Sequence, residues 1–112
     1  MIYHVCTAEA WEAAVDSGTY HGSADDARDG YLHFSSGDQV RESVAKHRAG
    51  QDGLVMLAVD PQLLGDALKW EVSRGGALFP HLYGRLPLEA VTQVTPLPLG
   101  DDGVHMFPPG TP

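Results

Sequence analysis

Four polar residues sit in stretches that otherwise read as β-strands. His4 lies in "IYHVC", His33 in "DGYLHFSS", Glu71 in "LKWEVS" and His81 in "LFPHLYGRL". Imidazoles and carboxylates move protons near neutral pH, hold sugar hydroxyls and stabilise developing charge. Each of the four is flanked by apolar or aromatic neighbours. A buried polar group is costly there unless it is paired or lines a cavity. A single strand histidine is more often a satisfied or half-exposed residue than a catalyst, and Glu71 alone would serve as a solvent-face carboxylate beside Lys69. Four such residues in one short chain carry more weight. A sheet that gathers them, with Tyr31, Ser35, Ser36 and Tyr83 nearby, makes a polar cleft with aromatic walls, the usual form of a small-molecule site.

Strand parity sorts these residues into faces. His4 shares a face with Ile2 and Cys6, opposite Tyr3 and Val5. Tyr31, His33 and Ser35 oppose Leu32 and Phe34, so the first three are expected to face the cleft and the last two the core. Lys69, Glu71 and Ser73 oppose Trp70 and Val72, and His81 and Tyr83 oppose Leu82. His21, His47 and His105 fall in a loop, at a helix end and in the tail, and are read as surface residues. Cys6 is read as a small buried hydrophobe, since no cationic partner for a thiolate is visible.

The positioning elements follow from local signals. Residues 2–6 alternate as a strand, and Thr7 caps a helix over residues 8–17 that stops at Gly18. Ser23 caps one further helical turn in a polar stretch. The strand over residues 31–35 runs into an S-x-x-Q capping box at Ser36 and Gln39, which predicts a helix over residues 37–49. "GLVMLAV", residues 53–59, is apolar on both faces and reads as a central covered strand. Strands follow at 67–73, within "RGGALFPHLYGRL", which mixes a glycine turn with a strand broken by Pro80, and over "AVTQVTPL". The predicted fold is therefore α+β: one domain over residues 1–98, with a bent or split mixed sheet of about five or six strands and two main helices. The Pro/Gly-rich segment 99–112 is expected to be a poorly ordered extension.

Composition narrows the function classes. The 112 residues carry 7 Lys+Arg against 15 Asp+Glu, a net charge of −8, which repels phosphate backbones and argues against nucleic acid as a partner. No apolar run is long enough to span a membrane, and the N-terminus has neither the basic nor the apolar region of a signal peptide. One cysteine cannot form an internal disulfide, which fits a reducing cytoplasm. There is no Walker loop, G-x-G-x-x-G, G-x-S-x-G, C-x-x-C or H-x-x-x-H. Arg74 and Arg85 are the candidate cations for a local anionic pocket. Three histidines and a carboxylate are also transition-metal ligand types, but they show no local ligand spacing, and no metal is expected.

Taken together, "IYHV", "DGYLHFSSGDQV", "LKWEVS" and "LFPHLYGRLPLEAV" resemble the bacterial and plant family catalogued as domain of unknown function 952, in order and spacing from residue 2 to about residue 95. That family has no established activity to carry over. Its fold is similar to the ADP-ribosyltransferase core, and this second resemblance implies NAD as substrate and a transferase site. It would place His4 as the first-strand histidine, "LHFSS" as the second strand leading into a helix, and Glu71 as the late-strand glutamate. Cleaving nicotinamide from NAD passes through an oxocarbenium-like state. A carboxylate stabilises such a state, while an imidazole holds a ribose hydroxyl and an aromatic ring stacks on nicotinamide. The chain departs from that pattern by carrying Ser35 in place of a tyrosine, together with His33 and His81. A non-enzymatic module that binds a small molecule is the alternative reading of the same residues.

Overall fold

The computed structural model describes residues 1–108, with the side chain of Arg74 outside that description. The chain order is β1 (Ile2–Thr7), α1 (Ala8–Ser17), α2 (Ala24–Asp29), β2 (Leu32–His33), β3 (Ser35–Ser36), α3 (Val40–His47), β4 (Leu54–Val59), β5 (Leu68–Val72), β6 (Leu78–Leu82) and β7 (Val91–Leu97), with short 3-10 turns between the later strands. The sheet is split in two. One sheet has the order β3-β1-β4-β7 and the other β2-β6-β5. Helix α1 and the single turn capped by Ser23 form where expected.

Among the described residues every strand pairing is antiparallel, not mixed as the sequence suggested. The reason lies in the third helix. Strands β3 and β4 both run antiparallel to β1 and therefore parallel to each other, with α3 as their crossover. β1 lies between them, so the parallel relation is never a hydrogen-bonded one.

The stretch "DGYLHFSS" is also two strands rather than one. Leu32 and His33 pair with Leu82 and His81 in one sheet, while Ser35 and Ser36 pair with Tyr3 and Ile2 in the other. The chain changes sheets at Phe34, whose N–H donates to the Pro80 carbonyl at 3.0 Å. Leu32 and Phe34 are buried, as their parity predicted.

Helix α3 spans Val40–His47, shorter than the predicted 37–49. Gln39 explains the late start. Its side chain accepts from the Ser36 N–H, half of the predicted capping box, but its amide nitrogen reaches across to the Leu78 carbonyl at 2.7 Å. Residues 37–39 are held as a turn instead.

Two cores result. Ile2, Cys6, Leu57 and Val59 meet Leu32, Leu82 and Leu86 on one face of the four-stranded sheet, under α1. Leu54, Met56 and Leu97 meet Val40 and Val44 of α3 on the other. β4 is thus covered on both faces, as its doubly apolar sequence requires. β5 is an edge strand, and its Trp70 and Val72 point to solvent rather than to a core. Among the described residues no helix is long and apolar enough to cross a membrane.

The segment after Leu97 is not loose over its described part. Leu99 bridges to His105, the Met106 N–H donates to the Pro98 carbonyl, and Phe107 packs on the α3 core beneath the Arg41 guanidinium, 4.7 Å above the ring. His105 is buried, not a surface residue, and its Nε2 bonds the Gln51 carbonyl at 2.6 Å. Residues 109–112 lie outside the described residues.

Two glycines separate backbone strain from packing. Gly18 (φ 84°) ends α1 in open space, whereas Gly22 (φ 94°) lies against Leu32 and Asp26, so that a Cβ there would collide with both. In urea denaturation Gly18→Ala is expected to lose about 1 kcal/mol from left-handed strain alone, and Gly22→Ala about 3 kcal/mol or more from strain plus overpacking.

Candidate functional site

His33 and His81 are register partners across the β2–β6 pair, so both imidazoles project from one face of the smaller sheet, with ring centroids 5.8 Å apart. Their environments differ. The Nδ1 of His33 lies 2.6 Å from Asp26 Oδ1 and its Nε2 2.9 Å from Asp29 Oδ2. Carboxylates only accept, so the two bonds are made together in the imidazolium form, with a proton on each ring nitrogen. The hydrogen bond to Asp26 raises its pKa above the ordinary value, against the opposing effect of partial burial.

Asp26 is the one buried residue of α2, and α2 buries no apolar side chain. Its carboxylate closes a capping box with Ser23, accepting from the Ser23 N–H at 2.6 Å and from the Ser23 hydroxyl at 2.9 Å. It also accepts from the His33 backbone N–H at 2.9 Å. Burial works to raise its pKa, but the bond from the His33 ring and the other donated bonds hold it well below the usual carboxylate range.

His81 is buried, and its Nδ1 donates to Glu71 Oε1 at 2.9 Å. Glu71 sits diagonally across the β5–β6 pair, facing Phe79 in register while Lys69 faces His81. The Tyr83 hydroxyl donates to the same Glu71 oxygen at 2.6 Å. That bond, followed by the one from His81, lowers the Glu71 pKa, and Glu71 in turn pushes the Tyr83 hydroxyl up to about 12. With its proton on Nδ1, a neutral His81 ring presents the Nε2 lone pair, and Nε2 has no hydrogen-bond partner among the described residues. The Tyr31 ring stacks on His81 at 4.1 Å and 28°, and also lies 4.7 Å from His33 and 5.3 Å from Tyr83.

These groups border a cavity of about 320 Å³ between the α2 loop, the two sheets and α3. Its lining includes Asp25, Asp26, Arg28 and Asp29 from α2, Ser43 and His47 from α3 with Arg48 just after it, Ser35 of β3, and Tyr31, His33 and His81. Ser35 and Ser43 share a hydroxyl hydrogen bond of 3.1 Å.

The sequence-predicted residues are therefore only partly gathered. Tyr31, His33, Ser35 and His81 line the cavity. Glu71 and Tyr83 stand behind His81 and do not line it. His4 borders the cavity, but both its nitrogens are used within the fold. Nδ1 donates to the His33 carbonyl and Nε2 accepts from the Tyr20 hydroxyl, each at 2.6 Å, and burial lowers its pKa. Ser36 is spent on the turn before α3. Arg85 is exposed outside the lining, and the Arg74 side chain lies outside the described residues. His21 and His47 are exposed as read, although His47 lines the cavity, and Cys6 is buried with its pKa raised by burial. Among the described residues no three His, Cys, Asp or Glu side chains converge as a metal-ligand set.

Sequence reasoning missed Asp26, Asp29, Tyr20 and Arg48. The S-x-x-D spacing of Ser23 and Asp26 was a usable sign for Asp26, because it marks a carboxylate held at a helix start. Nothing local marks the others.

The His33 pair makes stability pH-dependent with a definite sign. A raised folded-state pKa gives a contribution that is complete below about 6.5, the unfolded value, and lost as pH rises through the folded pKa. The His33 ring is expected to titrate above 6.5 by NMR, and Asp26→Asn to bring that midpoint down. The same variant should lose about 2 to 3 kcal/mol at pH 6, less than for a fully buried pair because His33 remains half-exposed.

The chain is similar to protein CC0527 from Caulobacter crescentus. To its crystal structure it is 48% identical with a TM-score of 0.90, covering 94% of this chain and 92% of that one. A double mutant of CC0527 gives 47% identity, a TM-score of 0.89 and the same coverage. The solution structure gives 48% and 0.82, covering 92% and 89%. No curated protein matches. The family model described as protein of unknown function (DUF952) matches residues 5–94, and the chain belongs to that family.

Proposed function

We propose that the chain binds a ribose-bearing, nucleotide-like small molecule in the cavity beside His33 and His81, and that this imidazole pair handles protons on it. The observation that carries the reading is the unlike state of two histidines in direct register. His33 is doubly protonated between two carboxylates, and His81 is tethered by Glu71 so that Nε2 remains to accept a proton. The carboxylates on both sides of His33 take up its N–H groups, while the tethered His81 keeps a lone pair that can take a proton from a hydroxyl, the role of a general base.

The surroundings suit the same ligand class. Carboxylates and serine hydroxyls match sugar hydroxyls, Tyr31 offers a ring on which a planar base stacks, and Arg48 supplies positive charge for a phosphate. The volume is at the lower end for small-molecule sites, so one nucleoside-sized part enters and the remainder lies outside.

The resemblance to the ADP-ribosyltransferase core read from the sequence makes NAD the first compound to try. In a transfer of that kind the bond from ribose to nicotinamide breaks, an acceptor oxygen bonds to the ribose, and the acceptor's proton passes to His81 Nε2. Glu71 then acts through His81 as a positioning residue. The acidic net charge favours a small ligand over nucleic acid, and a single buried Cys6 fits the cytoplasm. A non-enzymatic binder would use the same cavity without turnover.

Thermal shift with NAD, ADP-ribose and nicotinamide tests the reading. At 100 times Kd a ligand stabilises the fold by about 2.7 kcal/mol, which a melting curve resolves. A shift with NAD or ADP-ribose is expected in the parent chain and in His81→Gln, with nicotinamide release from NAD lost in His81→Gln and reduced in Glu71→Gln. Binding without release in the parent chain would make this a carrier rather than a transferase. No shift with any of the three at millimolar concentration would overturn the ligand assignment.

A further inference from the structure

We propose that residues 29–31 form a lid over the His81 side of the cavity, latched by the bond between Asp29 and His33 and released when His33 loses a proton. The inference rests on the reading of this cavity as a ligand site and concerns how that site is opened.

The two ends of α2 are held differently. The N-terminal end is anchored by the Ser23–Asp26 capping box, by the bonds from His33 to Asp26, and by Gly22 packed against Leu32. The C-terminal end has no buried apolar residue to hold it. Asp29 ties it to the sheet by the 2.9 Å contact from its Oδ2 to His33 Nε2. Next comes Gly30, in the left-handed region (φ 85°) with open space where a Cβ would be. Then comes Tyr31, whose ring covers His81. A latch, a pivot and a cover thus follow one another in three residues.

The chemistry of imidazole decides which bond breaks. The imidazolium donates from both nitrogens, whereas the neutral ring has one proton to give. The shorter, more buried bond from Nδ1 to Asp26 retains it, so Nε2 no longer donates and Asp29 is released. The other charged and titratable groups around His33 do not replace that bond. Arg28 bonds Asp29 at 3.2 Å and travels with it, and Asp25 pairs with Arg28. His4, from β1, is occupied by the His33 carbonyl and Tyr20. His81, from β6, is held by Glu71, which also holds Tyr83. The raised pKa of His33 sets the direction: the lid is shut below about 6.5 and opens as pH rises through the folded value. Opening uncovers His81, on whose ring Tyr31 stacks in the closed form.

Amide hydrogen exchange by NMR on the ligand-free chain tests this. The reporter is the Gly30 N–H, which donates to the Asp26 carbonyl at 2.9 Å. After correction for intrinsic exchange, its protection is expected to fall up to about fivefold between pH 6 and pH 8.5, the scale set by an exposed ion pair. The ring-current shift of Tyr31 on His81 should fall with it, while β4 amides stay constant. Asp29→Asn, a change in a partly exposed side chain, should show the low protection at both pH values. Equal Gly30 protection at the two pH values, or an unchanged pH response in Asp29→Asn, would overturn the lid. NAD titrations at the same pH values are read separately. A lid that opens without NAD binding refutes the ligand assignment alone, and NAD binding with a pH-independent Gly30 refutes the lid alone.

Discussion

The Asp26 carboxylate accepts from the backbone and hydroxyl of Ser23 and from the backbone and ring of His33, and each bond fastens a different part of the structure. The bonds from Ser23 start α2. The backbone bond from His33 ties that helix to β2. The ring bond keeps an imidazole charged beside a cavity. A buried carboxylate without such donors would be costly enough to protonate or to unfold its helix. Here the donors are supplied by a capping motif and by a strand seven residues later, so the loop between Ser23 and His33 is short and its shape is set by one group. A helix of two alanines and four charged residues, with no apolar side chain buried, is held in place in this way.

Behind that pair lies a second polar layer that faces the core. His4 spends one nitrogen on the His33 carbonyl and the other on Tyr20, whose own backbone carbonyl accepts from Leu86. The two sheets are therefore joined by the passage of the chain at Phe34 and by this chain of hydrogen bonds. Such satisfied networks specify one arrangement of neighbouring elements more sharply than apolar contacts do. The result is that His33 is fixed from both sides, by Asp26 at its ring and by His4 at its carbonyl.

Much of this was legible in the residues. The caps at Thr7 and Ser23, the doubly apolar β4 and the alternation of Leu32 and Phe34 with His33 and Ser35 are local signals, and the structure obeys them. Parity also put Tyr31, His33 and Ser35 on one face and His81 with Tyr83 on another, and Tyr31, His33, Ser35 and His81 line the cavity. What escaped is non-local. Alternation is blind to a strand that stays extended while changing sheets, so the corner at Phe34 was invisible. It is equally blind to partners outside strands, which is why Asp29, Tyr20 and Arg48 were missed. Glu71 was identified as polar where an apolar residue was expected, but only the diagonal pairing of β5 with β6 decides that it backs His81 rather than facing a ligand. His105 was misread because the fold of its tail depends on a carbonyl at Gln51 and an apolar shelf under Phe107, both distant in sequence.

The insertion of β1 between β3 and β4 has a consequence for the order of events on the ribosome. The first strand made is an inner strand of its sheet, and its longest partner, β4, begins only at Leu54. At typical synthesis rates of about 5 to 20 residues per second, β1 waits several seconds for β4, with only the two-residue β3 made in between to pair with it. Its apolar side chains have only α1, and later Leu32, Phe34 and α3, for cover during that interval. The pairing that finally satisfies β1 closes a long loop, so the entropic cost falls late and folding is slower than the modest size of the domain would suggest. The polar His4 within that waiting strand interrupts what would otherwise be an unbroken apolar face, and so weakens the strand as a template for pairing with another nascent chain.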